Sequence, residues 1–149
     1  MREPSVNDII TFLYEVDKSF PTPLSQKQDL CELSQKLFDK ATLCVEWQGE
    51  KICSMVAGYT ENTVNNMAYI SVVATLKGEQ GKGYASRLMG EFIRIAEKNC
   101  LDAVHLYTHR ENIAAINFYK KLGFVELVTA DEPRPDDLHL IYYLENKRG

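Results

Sequence analysis

The chain has no Cys-x-x-Cys pair, no dense Lys/Arg block, no low-complexity tract, no internal repeat and no apolar run long enough to span a membrane. Each absence removes a class of function. Cys31, Cys44, Cys53 and Cys100 are too scattered for a redox or zinc motif and fall inside apolar periodic segments, so they read as buried thiols of a reducing compartment. No metal site is expected. Without a basic block, and with a formal net charge of −4, a nucleic-acid platform is not expected either. An acidic exterior suits neutral or cationic partners. The first ten residues carry polar side chains where a secretory leader needs an apolar stretch, so the expectation is a cytoplasmic protein with no membrane partner.

What is there is the makings of one globular domain over residues 1–149. Ser5 with Asp8 resembles a capping box, and Val6, Ile9, Ile10, Leu13 and Val16 recur at helical spacing, giving a helix from Ser5 to about Asp17. Pro21 and Pro23 break the pattern. Ser25 with Gln28 offers a second cap, followed by the stripe Leu30, Leu33, Leu37, Phe38 and an end near Lys40. From Ala41 the period becomes two, and Gln48-Gly49-Glu50 turns the chain into Lys51–Tyr59 as a hairpin. Glu61 to Asn66 is polar and reads as a loop. Met67 to Leu76 is a strand, with Tyr69, Ser71, Val73 and Thr75 on one face and Ile70, Val72 and Ala74 on the other. Ala85, Leu88, Met89, Phe92, Ile93 and Ala96 then trace a helix from Gly83 to Asn99. Asp102 to Thr108 follows as a strand parallel to Met67–Leu76, joined to it by that helix. Asn112 to Leu122 is a shorter helix closed by Gly123, and Phe124–Val128 with Leu138–Leu144 form a last antiparallel pair across the Asp131–Asp137 loop.

Between the strand at Met67 and the helix at Gly83 lies Gln80-Gly81-Lys82-Gly83-Tyr84-Ala85. Two residues without Cβ let successive N–H groups point the same way, and the helix start adds unpaired donors and the positive end of its dipole, which together suit a diphosphate. Other phosphate motifs fit poorly. A dinucleotide fingerprint would place Gly or Ala at position 86, where Ser86 stands, and a Walker loop would follow Gly83 with Lys and Ser or Thr, where Tyr84-Ala85 stands.

Gln80-Gly81-Lys82-Gly83-Tyr84-Ala85 matches Gln/Arg-x-x-Gly-x-Gly/Ala, and about thirty residues later Asn112-Ile113-Ala114-Ala115-Ile116-Asn117-Phe118-Tyr119 leads into Lys121-Leu122-Gly123-Phe124. With the order helix, helix, three strands, helix, strand, helix, two strands, the chain resembles the GNAT family of N-acetyltransferases over Ala41 to Leu144. The resemblance implies an α/β (α+β) domain: a mixed, mostly antiparallel sheet, a central parallel strand pair splayed to hold coenzyme A, and helices on both faces. It also implies a strand before the first helix, which here is expected to be vestigial or absent, since only Met1, Arg2 and Glu3 precede Pro4.

The implied reaction is acetyl transfer from acetyl-coenzyme A to the primary amine of a small molecule, by direct attack of the neutral amine on the thioester. Matched to the family, the amides of Gly81, Lys82, Gly83, Tyr84 and Ala85 cradle the diphosphate, Gln80 shapes the loop, and Lys82 and Arg87 offer charge. Val73, Ala74 and Thr75 hold the pantetheine arm through backbone, as an added strand would be held. Asn112 matches the asparagine that contacts this arm and also reads as an N-cap. Tyr119 matches the tyrosine that protonates the departing thiolate and also reads as a core aromatic. Phe20, Leu24, Tyr59, Glu61, Tyr69, Ser71 and Tyr142 are candidates for the acceptor groove.

The chain departs from the family pattern at the base. No glutamate stands on the Tyr69–Thr75 face, which leaves Glu46, Glu61, His105 and His109, or water relayed by Tyr69 and Ser71. Homodimers are frequent in the family. A noncatalytic acyl-coenzyme-A-binding module is the alternative function, and a covalent route through Cys44 or Cys53 is a third.

Overall fold

The computed structural model describes residues 2–20, 23–128 and 134–145. Helix α1 spans Val6–Val16 and α2 Leu30–Lys40; β1 (Thr42–Gln48), β2 (Lys51–Val64) and β3 (Met67–Thr75) follow. Then come α3 (Tyr84–Lys98), β4 (Ala103–His109), α4 (Ile113–Leu122), β5 (Val125–Glu126) and β6 (Asp137–Tyr143). The strands form one sheet in the order β1-β2-β3-β4-β6-β5. Among the described residues β3 and β4 are the one parallel pair; the other neighbours are antiparallel. Among the described residues, no helix is long and apolar enough to cross a membrane.

Each face of the sheet has its own core. Leu88, Met89, Phe92 and Ala96 of α3 pack with Tyr119 of α4 on Val56, Ala68, Ile70, Val104 and Leu106. Ile9, Phe12, Leu13 and Val16 of α1 and Leu33 and Leu37 of α2 pack on Met55, Ala57 and Val72 from the other side. Fully burying a side chain as large as Leu88, Met89 or Phe92 is worth about 2 kcal/mol, against about 1 kcal/mol for a good N-cap. Packing therefore holds α3, and its first turn can leave donors uncapped: Gly83 makes no side-chain cap bond.

At the N-terminus no strand precedes α1 among the described residues. Ser5 caps α1 in a reciprocal box with Asp8. Upstream of it, the Arg2 guanidinium lies 3.8 Å over the Trp47 ring, and Trp47 Nε1 donates to the Arg2 carbonyl at 3.3 Å, tying the segment to β1.

Several sequence expectations need correction. The cap of α2 is Asp29, whose carboxylate accepts from the Glu32 amide, while Ser25 lies in a short 3-10 turn and donates to Asp17 at 2.6 Å. Phe38 is 46% exposed; Ser34 takes its place in the buried stripe by returning its hydroxyl to the Leu30 carbonyl at 2.7 Å. Glu61–Val64 is strand, because β2 runs on to a hairpin in which Asn65 and Asn66 both adopt positive φ (56° and 57°), as a two-residue I′ turn requires. Cys44 and Cys53 are buried, but Cys31 and Cys100 are exposed. Cys31 sits about 100° round α2 from Leu30, and Cys100 occupies the left-handed turn after α3 (φ 58°). Of the two loops expected at Pro21–Pro23 and Asp131–Asp137, residues 21–22 and 131–133 lie outside the described residues.

The most consequential correction concerns β3. Ala57 pairs with Val72 but Gly58 pairs with Ile70, so Ser71 is an extra residue, a bulge. Alternation therefore resets. Ile70 and Val73 face α3 and α4, whereas Val72 and Ala74 face α1 and α2, so neither group of strand residues expected on one face stays together. Gly58 makes the bulge possible: a Cβ there would lie 2.3 Å from the Tyr69 carbonyl oxygen and 2.9 Å from the Ile70 Cα.

Candidate active site

The bulge sits where β3 leaves β4. Their pairing covers Met67, Ala68 and Tyr69 against Ala103, Val104 and His105; beyond it β3 continues on β2 and β4 on β6. The edges that part leave backbone donors and acceptors facing a gap. Two cavities open there. One, about 630 Å³, runs from Val73, Ala74 and Thr75 past Glu79, Gln80, Gly81 and Gly83 to Tyr84 and Ala85, with α4 residues opposite. The other, about 530 Å³, lies among the α1–α2 connection, β3, β4 and the residues entering β6. Phe20, Val73, Asn112, Ala115 and Tyr119 line both. They mark the junction.

At the outer end of the first cavity the chain is shaped for an anion. Gly81 and Gly83 have φ of 83° and 80°, left-handed values that side chains resist, and a Cβ on either would meet nothing within 4 Å. The first intrahelical bond of α3 is donated by Arg87 to the Gly83 carbonyl, so the Tyr84, Ala85 and Ser86 amides have no acceptor within the helix. Gln80 closes the turn by donating to the Thr75 carbonyl at 3.3 Å. The two expected cations are engaged elsewhere. Lys82 Nζ lies 2.6 Å from Glu79, whose carboxyl it holds below the usual range, and Arg87 is paired to Glu46 and Glu91. Lys82 thus neutralises a carboxylate that lines the cavity, and main-chain N–H groups and the helix dipole are what favour an anion there.

Tyr119 and Asn112 stand at the junction. Asn112 Oδ1 accepts from the Ala115 amide at 3.2 Å and so caps α4, leaving the side-chain nitrogen for a ligand. The Tyr119 ring packs against Phe118 and Phe124 and is 7% exposed. Burial pushes its phenol far above the ordinary tyrosine value, and among the described residues its hydroxyl has no hydrogen-bond partner. A buried, unpartnered donor costs about 1–3 kcal/mol unless a ligand supplies an acceptor.

Of the expected acceptor residues, Phe20, Leu24, Tyr69 and Ser71 line the second cavity; Tyr59, Glu61 and Tyr142 line neither. Tyr59 packs into the α1–α2 core under Lys36, and Tyr142 lies against Phe124. Phe20 and Leu24 are held in place by Asp17, whose carboxylate is kept low by the hydroxyl and amide of Ser25. Among the four candidate bases only His109 reaches the cavity, and its Nδ1 already accepts from the Glu111 amide. Glu46 is paired to Arg87, and Glu61 is exposed on β2. His105 bonds to His139 at 2.8 Å, and burial, helped by His139 and Arg134, pushes it down to about 4.

Sequence reasoning missed Lys27, Tyr107, Thr108, Arg134 and Asp137, which also line this cavity. The alternation of β4 marks Tyr107 and His109 as one face; Arg134 and Asp137 reach the cavity because β6 pairs with β4, His109 opposite Asp137. Cys44 and Cys53 line neither cavity, and burial pushes both up, Cys44 to about 11. Among the described residues no group of His, Cys, Asp or Glu is placed to hold a metal ion.

A gap between parallel strands, with a donor-rich helix start at one end and a second cavity of about 530 Å³ at the other, suits an acyltransferase of the coenzyme-A-dependent kind. The acetyltransferase (GNAT) family model matches residues 8–124, and the chain belongs to that family, whose acyl donor is acetyl-coenzyme A. A search of curated proteins finds no match. Among solved structures, a GNAT acetyltransferase from Staphylococcus aureus Mu50 has 18% identity and a TM-score of 0.76, with 97% of this chain and 96% of that one covered. PaiA N-acetyltransferase from Thermoplasma acidophilum, solved with coenzyme A, has 17% identity and a TM-score of 0.75 over 96% and 97%. Ard1 from Thermoplasma volcanium has 20% and 0.74 over 96% and 95%. At such identities the likeness is one of fold.

Proposed function

We propose that the chain moves an acetyl group from acetyl-coenzyme A to the primary amine of a small molecule. The observation that carries this reading is the junction: Val73, Asn112, Ala115 and Tyr119 line both cavities, and among the described residues the Tyr119 hydroxyl has no hydrogen-bond partner. The residues fit the cofactor. The amides from Gly81 to Ala85 would hold its diphosphate, the β3 edge from Val73 to Thr75 its pantetheine arm, and the Asn112 side chain would bond that arm.

Acetyl-coenzyme A supplies the activated acyl group as a thioester, and the chain supplies alignment and proton traffic. The acceptor enters by the second cavity with its amine toward the junction. Because only a neutral amine has a lone pair to attack with, its proton must first leave, and we place Tyr69, Ser71 and Asp137 as the water relay that takes it. The Tyr119 hydroxyl, held protonated by burial, would be the acid that donates to the departing thiolate. Main-chain N–H groups on the parted β3 edge polarise the carbonyl.

The test is release of free thiol from acetyl-coenzyme A in the presence of a pooled panel of amines. Amine-dependent release is expected. Binding of the cofactor with no release for any amine would instead support a noncatalytic acyl-coenzyme-A-binding module.

A further inference from the structure

The acceptor cavity carries an excess of positive charge that transfer chemistry does not require. At the junction its lining is uncharged: Phe20, Val73, Asn112, Ala115 and Tyr119. Away from the junction stand Lys27 and Arg134, with Asp137 the one carboxylate among the described lining residues. This occurs in a chain whose net charge is −4.

Arg134 is held in place. Its guanidinium lies 4.1 Å over the Tyr107 ring, and that ring is backed by His139, stacked at 4.3 Å. The backbone beneath is fixed too, since the Asp137 amide donates to the Arg134 carbonyl at 3.1 Å and Arg110 Nε to the Pro135 carbonyl at 2.8 Å. Neither Arg134 nor Lys27 has a carboxylate within salt-bridge distance among the described residues. A planar cation stacked on an aromatic ring and open on its edge presents its forked N–H donors to a carboxylate. The same field would repel a second ammonium on the acceptor, which argues against polyamines.

We propose that the acceptor is a small amine that also bears a carboxylate, with Arg134 and Lys27 holding the carboxylate while the amine reaches Tyr119. This rests on the transferase reading, and the experiment separates the two. The protein is first titrated calorimetrically with coenzyme A. The coenzyme-A-saturated protein is then titrated with two series of probes: γ-aminobutyrate against its amide, propylamine and putrescine, and leucine against its amide and isopentylamine.

In at least one series the carboxylate form is expected to bind at least about tenfold more tightly than its analogues that lack a carboxylate, the usual scale for a charge-assisted bond. Arg134→Ala should bring that ratio near unity with coenzyme A binding unchanged, and Arg134→Lys should restore part of it. No preference in either series, no heat from any probe, or a preference that survives Arg134→Ala would overturn the inference alone. Absence of heat with coenzyme A itself would overturn the transferase reading, and this inference with it.

Discussion

Gly83→Val should weaken coenzyme A binding by at least about a hundredfold, some 2.7 kcal/mol. Two effects add. Gly83 has φ of 80°, where any L side chain is strained by about 1–2 kcal/mol and a β-branched one by more, so the turn relaxes toward negative φ and its amides rotate away. Any valine that does hold the turn projects methyl groups into the open space beside the loop, where the diphosphate would lie. Gly83→Ala, which brings the first effect without the branch, should lose about tenfold. Gly78→Ala is the control: this glycine is exposed, lines neither cavity and has room for a Cβ, so affinity should stay as in the wild type. Calorimetry on variants shown to be folded reads all three. Wild-type affinity in Gly83→Val would remove the loop from the binding site.

Tyr119→Phe should lower kcat by about a hundredfold, within the range for loss of a positioned acid, while the dissociation constant for coenzyme A changes by no more than about twofold. The asymmetry follows from what the substitution removes. The ring packs against Phe118 and Phe124, and phenylalanine keeps those contacts, so the junction holds its shape. Only the buried hydroxyl goes. Since burial keeps that group protonated well above neutral pH, the deficit should be level across the neutral range. Unchanged turnover in Tyr119→Phe would mean that water or another group protonates the leaving sulfur.

The elements that position the cofactor cavity were legible where their signals are local. The α3 stripe and the glycine turn before it are written in adjacent residues, and the strand and helix order follows from periodicity together with caps, prolines and glycine turns. Features fixed by a distant strand were not. The Ser71 bulge exists because β2 approaches β3 closely at Gly58, and a glycine within an apolar strand is the one local sign of it. Reading β3 as regular therefore put Ile70 with Val72, which face opposite cores. Arg134 and Asp137 come to the second cavity through the pairing of β6 with β4, so a Pro/Asp-rich segment read as a loop concealed them. Net charge describes the whole chain and says nothing of one wall, where Lys27 and Arg134 stand with Asp137.

Coenzyme A and pantetheine, which lacks the diphosphate, differ in the part that the Gly81–Ala85 amides are held to grip. Titrating the protein with each by calorimetry should give clear heat for coenzyme A and binding at least about a hundredfold weaker for pantetheine. No heat with coenzyme A at millimolar concentration, or equal affinity for the two, would contradict the account.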